Sequence, residues 1–191
     1  MDKGTGQIVL NKLNINPSIF NPVRQVPIPH TTPGHYITGI PALNLPAPEG
    51  TSGDWHFYAV YYDTVDNNGG TSVVLQLAGD GEVLNTNNIY GRYGIYECSA
   101  AMKKYGLIIP NRKAYAANHF RAILDMLYWS LIRYHKVIGL IGATEDWLDT
   151  NEQKDFLLKK AEKMLPFLCR KTEQIELQNW IDRERLPGYR G

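Results

Sequence analysis

Cysteine is scarce in these 191 residues: only Cys98 and Cys169 are present, too few for a disulfide framework and without metal-ligand spacing. Charge of one sign is lacking too, since 20 Lys plus Arg stand against 19 Asp plus Glu. A broad basic footprint for nucleic acid is therefore absent, although a local patch remains open. No apolar run approaches the ~20 residues of a membrane span, and Met1-Asp2-Lys3-Gly4 does not open a charged-then-apolar leader. These absences point to a cytoplasmic protein with no membrane contact. No repeat, low-complexity tract, P-loop or nucleophile elbow is present either, and neither a cofactor nor a metal is expected.

Proline is abundant but confined. Eight of the eleven, Pro17, Pro22, Pro27, Pro29, Pro33, Pro41, Pro46 and Pro48, fall in residues 1–50. Proline fixes φ and removes a donor, so neither a long helix nor a central strand is expected there. The segment still carries Ile8, Leu10, Ile19, Phe20, Val23, Ile28, Ile37 and Leu43, which need burial. It reads as an extended arm packed on the core, followed by one α+β domain over 51–191.

Asp54–Tyr62 is aromatic and β-branched, Asp66-Asn67-Asn68-Gly69-Gly70 is a turn, and Ser72–Ala78 returns, which predicts a hairpin. Tyr96–Tyr105 reads as a short helix closed by Gly106. From Arg112 to about His135 the 3.6-residue period is strongest, with Ala116, Phe120, Ile123, Leu124, Leu127, Leu131 and Tyr134 on one stripe. Thr150 with Gln153 forms a capping box for a helix to Leu165, ahead of Pro166. Thr172 can cap a last helix carrying Ile175, Leu177, Trp180 and Ile181. Strands before helices argue for α+β: a small antiparallel sheet around 54–90 packed against the long helix, with two further C-terminal helices.

Two clusters could carry chemistry. In Gly50-Thr51-Ser52-Gly53-Asp54-Trp55-His56-Phe57, Asp54 and His56 lie two apart on a strand and share a face, so the carboxylate can orient the imidazole. The plainer reading makes Asp54 a turn cap and pairs His56 with a backbone carbonyl. On the long helix, Asn118, Arg121 and Asp125 share a stripe with His119 beside it. If this face closes over the hairpin, His56, His119 and Arg121 suit acid-base chemistry on a phosphodiester, with Asp54 or Asp125 orienting a histidine. The plainer reading is a buried salt bridge from Arg121 to Asp125 or to Asp54.

Trp55, Tyr90, Arg92, Asn118 and Asp125 are the candidate ligand contacts; Tyr90, Arg92 and Tyr93, set between glycines, could stack on a base or a peptide. His30 and His35 resemble a metal clip in residue type alone, and His135 reads as a helix C-cap. The terminal third interleaves Lys and Arg with Asp and Glu, as a solvated helix face does, and its apolar seams suit the long helix or a partner. Two functions follow. One is a binding or regulatory protein acting through a protein partner or as a homo-oligomer, of antitoxin, immunity or defence-accessory type. The other is a small hydrolase or nuclease-like enzyme.

Overall fold

A computed structural model describes residues 28–54, 75–104, 109 and 112–186. Of the proline-rich segment only residues 28–50 are among those described, so the arm expected over 1–50 lies in large part outside them, and the described part enters the sheet. Strand β1 (His35–Ile37) fits between Pro33 and Pro41 and is a central strand, and helix α1 (Gly39–Leu43) follows it at once. Three residues are short enough to avoid every proline, and Pro41 sits in the first turn of α1, where no backbone donor is required. The expectation that no central strand runs through this segment is thereby corrected.

Strands β2 (Leu77–Gly79), β3 (Ile95–Glu97) and β4 (Tyr115–Ala117) complete a four-stranded sheet in the order β2-β1-β4-β3. β1 pairs antiparallel with β2 and parallel with β4 (Ile37 opposite Ala116), while β3 and β4 are antiparallel. The sheet is therefore mixed, not purely antiparallel. The parallel pair arises because a strand from the amino-terminal segment joins one that enters the long helix. Tyr36, Ile37, Ala116 and Ala117 are fully buried at its centre. The hairpin expected over 54–78 falls largely on residues 55–74 and so lies outside the described residues, as does the Gly106 cap.

Seven α-helices occur among the described residues. After α1 come α2 (Asn87–Tyr90), α3 (Ser99–Lys104), α4 (His119–Tyr134), α5 (Ala143–Trp147), α6 (Asn151–Ala161) and α7 (Lys171–Glu184). The helix expected from Tyr96 gives its first residues to β3. The long helix starts at His119 instead of Arg112, because Tyr115–Ala117 pairs as β4 and Asn118 caps the new start with its side chain accepting from Arg121 N.

α4 packs on α1, β4, α6 and α7. Phe120, Ile123, Leu124, Leu127 and Leu131 are buried as the stripe requires, whereas Tyr134 in the last turn is 51% exposed. The Thr150–Gln153 capping box opens α6 as expected. A 3₁₀ segment, Glu162–Phe167, carries Pro166 beyond it. The last helix is capped at Arg170, with Glu173 reaching back, and not at Thr172. Its buried side is Leu177, Trp180 and Ile181, with Trp180 Nε1 donating to Leu140 O at 2.7 Å, while Ile175 is 48% exposed.

Glu184 ties α7 to the start of α5. It accepts from the amides of Gly142 (2.7 Å) and Thr144 (3.1 Å) and from the Thr144 hydroxyl (2.6 Å). No helix among the described residues is long and apolar enough to cross a membrane.

Candidate functional site

The sequence places His119 at the first turn of α4, and the fold brings the 45–53 segment over it. Leu45 O accepts from His119 Nε2 at 2.8 Å, and a carbonyl can only accept, so Nε2 carries the proton. Nδ1 is then the acceptor for the Thr51 hydroxyl at 2.6 Å. The ring is 1% exposed, and burial lowers its pKa below the ordinary 6.5, so it is neutral at physiological pH. Glu49 Oε1 accepts from the His119 amide at 2.9 Å, placing a carboxylate at the positive end of the helix. Gly53 packs directly on this ring: a Cβ there would lie 2.4 Å from His119 Cε1.

Within the first two turns of α4, Arg121 and Asp125 are both fully buried, and Nε meets Oδ1 at 3.0 Å. The remaining Arg121 nitrogens are also engaged. One amino group donates to Gly91 O (3.2 Å) and Tyr93 O (3.0 Å), and the other to Asn87 Oδ1 (2.9 Å). The guanidinium lies 5.4 Å from the Tyr36 ring centre and 5.2 Å from that of Tyr90. Asp125 Oδ2 accepts from Thr38 at 2.7 Å, and Oδ1 accepts from Thr86. Complete burial pushes the Asp125 carboxyl up, and the Arg121 charge and the two threonine hydroxyls work against that. The pair thus links α4 to β1, α2 and the loop before β3.

Placement of the other candidates is mixed. Asp54 accepts from Asn44 Nδ2 at 3.0 Å, and its amide donates to Leu43 O. Trp55 and His56 lie outside the described residues, so the approach of His56 to His119 falls there too. Asn118 caps α4. Tyr90 is buried and its hydroxyl donates to Lys160 O at 3.0 Å, whereas Arg92 is exposed on the loop that Arg121 holds. Arg121 and Asp125 are therefore together with Asn118 and Tyr90 near by, and His119 faces the 45–53 segment. Cys98 is buried and its thiol is pushed up to about 12, chiefly by burial, which suits a structural role. His35 bonds Glu82 Oε1 at 2.9 Å and His30 O at 3.2 Å.

Sequence reasoning passed over Thr38, Thr51, Thr86 and Asn87, which complete both polar clusters. Nothing in their local pattern marks them: Thr38 follows β1, Thr51 lies in a loop, Thr86 and Asn87 stand at the start of α2, and each has its partner 34 to 87 residues away. Only Gly53 carries a readable signal, as a glycine in a turn needing positive φ.

No protein-family profile, curated protein or solved structure matches the chain.

Proposed function

We propose that this chain is a binding protein that acts through a protein partner and not by turnover. The observation that carries the reading is the state of His119, whose two ring nitrogens are both occupied inside the fold. A general acid or base must present a nitrogen to its substrate. Here the ring would reach one only by lifting the 45–53 segment from the helix. Arg121 supports the same reading, because its fork is spent on two backbone carbonyls and two side chains instead of an open cleft.

Surface composition adds support. Of the eight exposed large apolar side chains among the described residues, Phe156, Phe167, Ile175 and Leu186 lie in the carboxy-terminal helical part, each at least 39% exposed. A contiguous exposed apolar patch marks an interaction site, and these side chains are available to build one. An antitoxin, immunity or defence-accessory role is the kind of work such a protein would do.

The test is affinity capture of the full chain from its native host, followed by mass measurement of what co-purifies. One protein at near-stoichiometric amount, retained when His119 is replaced by Asn, is the expected result. A phosphodiesterase activity abolished by His119→Asn in a chain that still melts cooperatively would overturn the reading.

A further inference from the structure

The Arg121–Asp125 pair poses a question about its purpose. Burying two charges is expensive, and an apolar pair of similar volume often stabilises a fold as well or better. What the pair adds is position. Through Gly91 O and Tyr93 O, the guanidinium grips a three-residue surface loop from beneath. Gly91 adopts φ 57° and ψ −134°, a backbone region open essentially to glycine, although nothing lies within 4 Å of where its Cβ would be. The loop is thus held in one shape by the core while its side chains face out.

Those side chains adjoin one stripe of α6 and the segment after it. Glu152, Phe156, Lys160 and Lys163 follow at four-, four- and three-residue intervals. Lys160 Nζ lies 3.9 Å above the Tyr93 ring and 5.2 Å from that of Phe156. Phe156 in turn contacts Phe120 edge-on at 5.1 Å and Tyr93 at 6.1 Å. Phe156 is 40% exposed, Arg92 and Lys163 are exposed, and Lys160 is half-buried. The patch is an aromatic step with Lys160 on it, Arg92 next to Tyr93 in the chain and Lys163 beside Lys160. The negative groups along it are Glu152 at the opposite end of the stripe, Asp155 before Phe156, Glu162, which pairs with Arg185 at 2.6 Å, and Glu49 near Tyr93, whose Oε1 accepts from the His119 amide.

The geometry points to this patch as the docking site for an acidic peptide segment of the partner, with an apolar side chain seated on Phe156 and carboxylates against Arg92, Lys160 and Lys163. This rests on the protein-partner reading above. Charge complementarity selects the occupant. Single-stranded nucleic acid fits less well: Lys160 already covers the Tyr93 face on which a base would stack, and the whole chain carries a net charge of only +1.

The test selects a phage-displayed library of random twelve-residue peptides on the full chain, then measures the enriched peptides by fluorescence anisotropy. Enrichment of Asp and Glu flanking an apolar residue is expected, with affinity falling as ionic strength rises. Lys160→Glu and Phe156→Ser should each weaken binding about ten-fold or more, and Lys136→Glu, on the loop after α4, should leave it unchanged. Arg92→Glu, outside any helix, provides the charge reversal if an α6 variant fails to fold. No enrichment, no acidic bias, equal binding by the variants, or competition by oligothymidine of matched length would each overturn the assignment. A native complex that survives Lys160→Glu and Arg92→Glu would overturn the patch while leaving the protein-partner reading standing.

Discussion

Thr51 and His119, 68 residues apart, meet at 2.6 Å, with the threonine hydroxyl donating to Nδ1 while Nε2–H donates to Leu45 O. This pair fastens the 45–53 segment over the first turn of α4. Replacing His119 by Ala leaves a void and two unpaired groups, and should lower unfolding free energy by about 2–4 kcal/mol. Urea unfolding followed by circular dichroism measures this directly. An unchanged midpoint would show that the ring does not fasten the segment.

The same histidine should give the protein an acid-sensitive stability. Burial depresses its folded pKa below the ordinary 6.5, so below that pH the unfolded chain binds a proton that the folded chain refuses. Its contribution is complete above about pH 6.5 and is lost as pH falls from there toward the folded pKa. Thermal melts between pH 7.5 and 5 should show a falling Tm in the parent chain. His119→Asn should remove that part of the slope.

The two glycines of the 50–53 turn should respond differently to alanine. Both have positive φ, 74° at Gly50 and 67° at Gly53. Nothing lies within 4 Å of a Cβ at Gly50, whereas one at Gly53 would stand 2.3 Å from Leu43 O. Gly50→Ala should cost about 1 kcal/mol from backbone strain alone. Gly53→Ala should cost clearly more, because the clash is with backbone and with the His119 ring. Parallel denaturation curves would expose the difference, and equal midpoints would contradict it.

Removing one member of the buried ion pair should be worse than removing both. Arg121→Met strands the Asp125 carboxylate, and Asp125→Leu strands the guanidinium, at about 3–5 kcal/mol each. The double replacement should recover part of that loss, a non-additivity that a double-mutant cycle reads out. The loop at 91–93 should nevertheless exchange its amide hydrogens faster in the double variant, since its two carbonyl anchors are gone.

Glu184 offers a check on the carboxy-terminal helices. Its carboxylate is 3% exposed and holds two amides and a hydroxyl at the start of α5. Glu184→Gln keeps the shape but weakens the acceptors and introduces donors, and should destabilise by about 1–3 kcal/mol. A shift in urea midpoint at constant slope is the expected signature.

The chain alone marked out its helices well where one face repeats at 3.6 residues. The α4 stripe, the Thr150–Gln153 box and the Leu177, Trp180 and Ile181 side of α7 are local patterns, and local patterns are readable. The Arg121–Asp125 bridge was legible for the same reason, since four residues on a helix bring two side chains together. What packing alone decided is non-local. Tyr115–Ala117 became a strand because β1, from within the proline-rich segment, arrived beside it, although its own period continues the helix. Thr38, Thr51 and Thr86 became parts of polar clusters because their partners lie in distant elements, and a lone threonine carries no mark of a carboxylate 39 or 87 residues away. Periodicity is set by neighbours along the chain and survives in the sequence. Partnership across the fold is set by which surfaces meet when apolar area is buried, and only the packed structure records it.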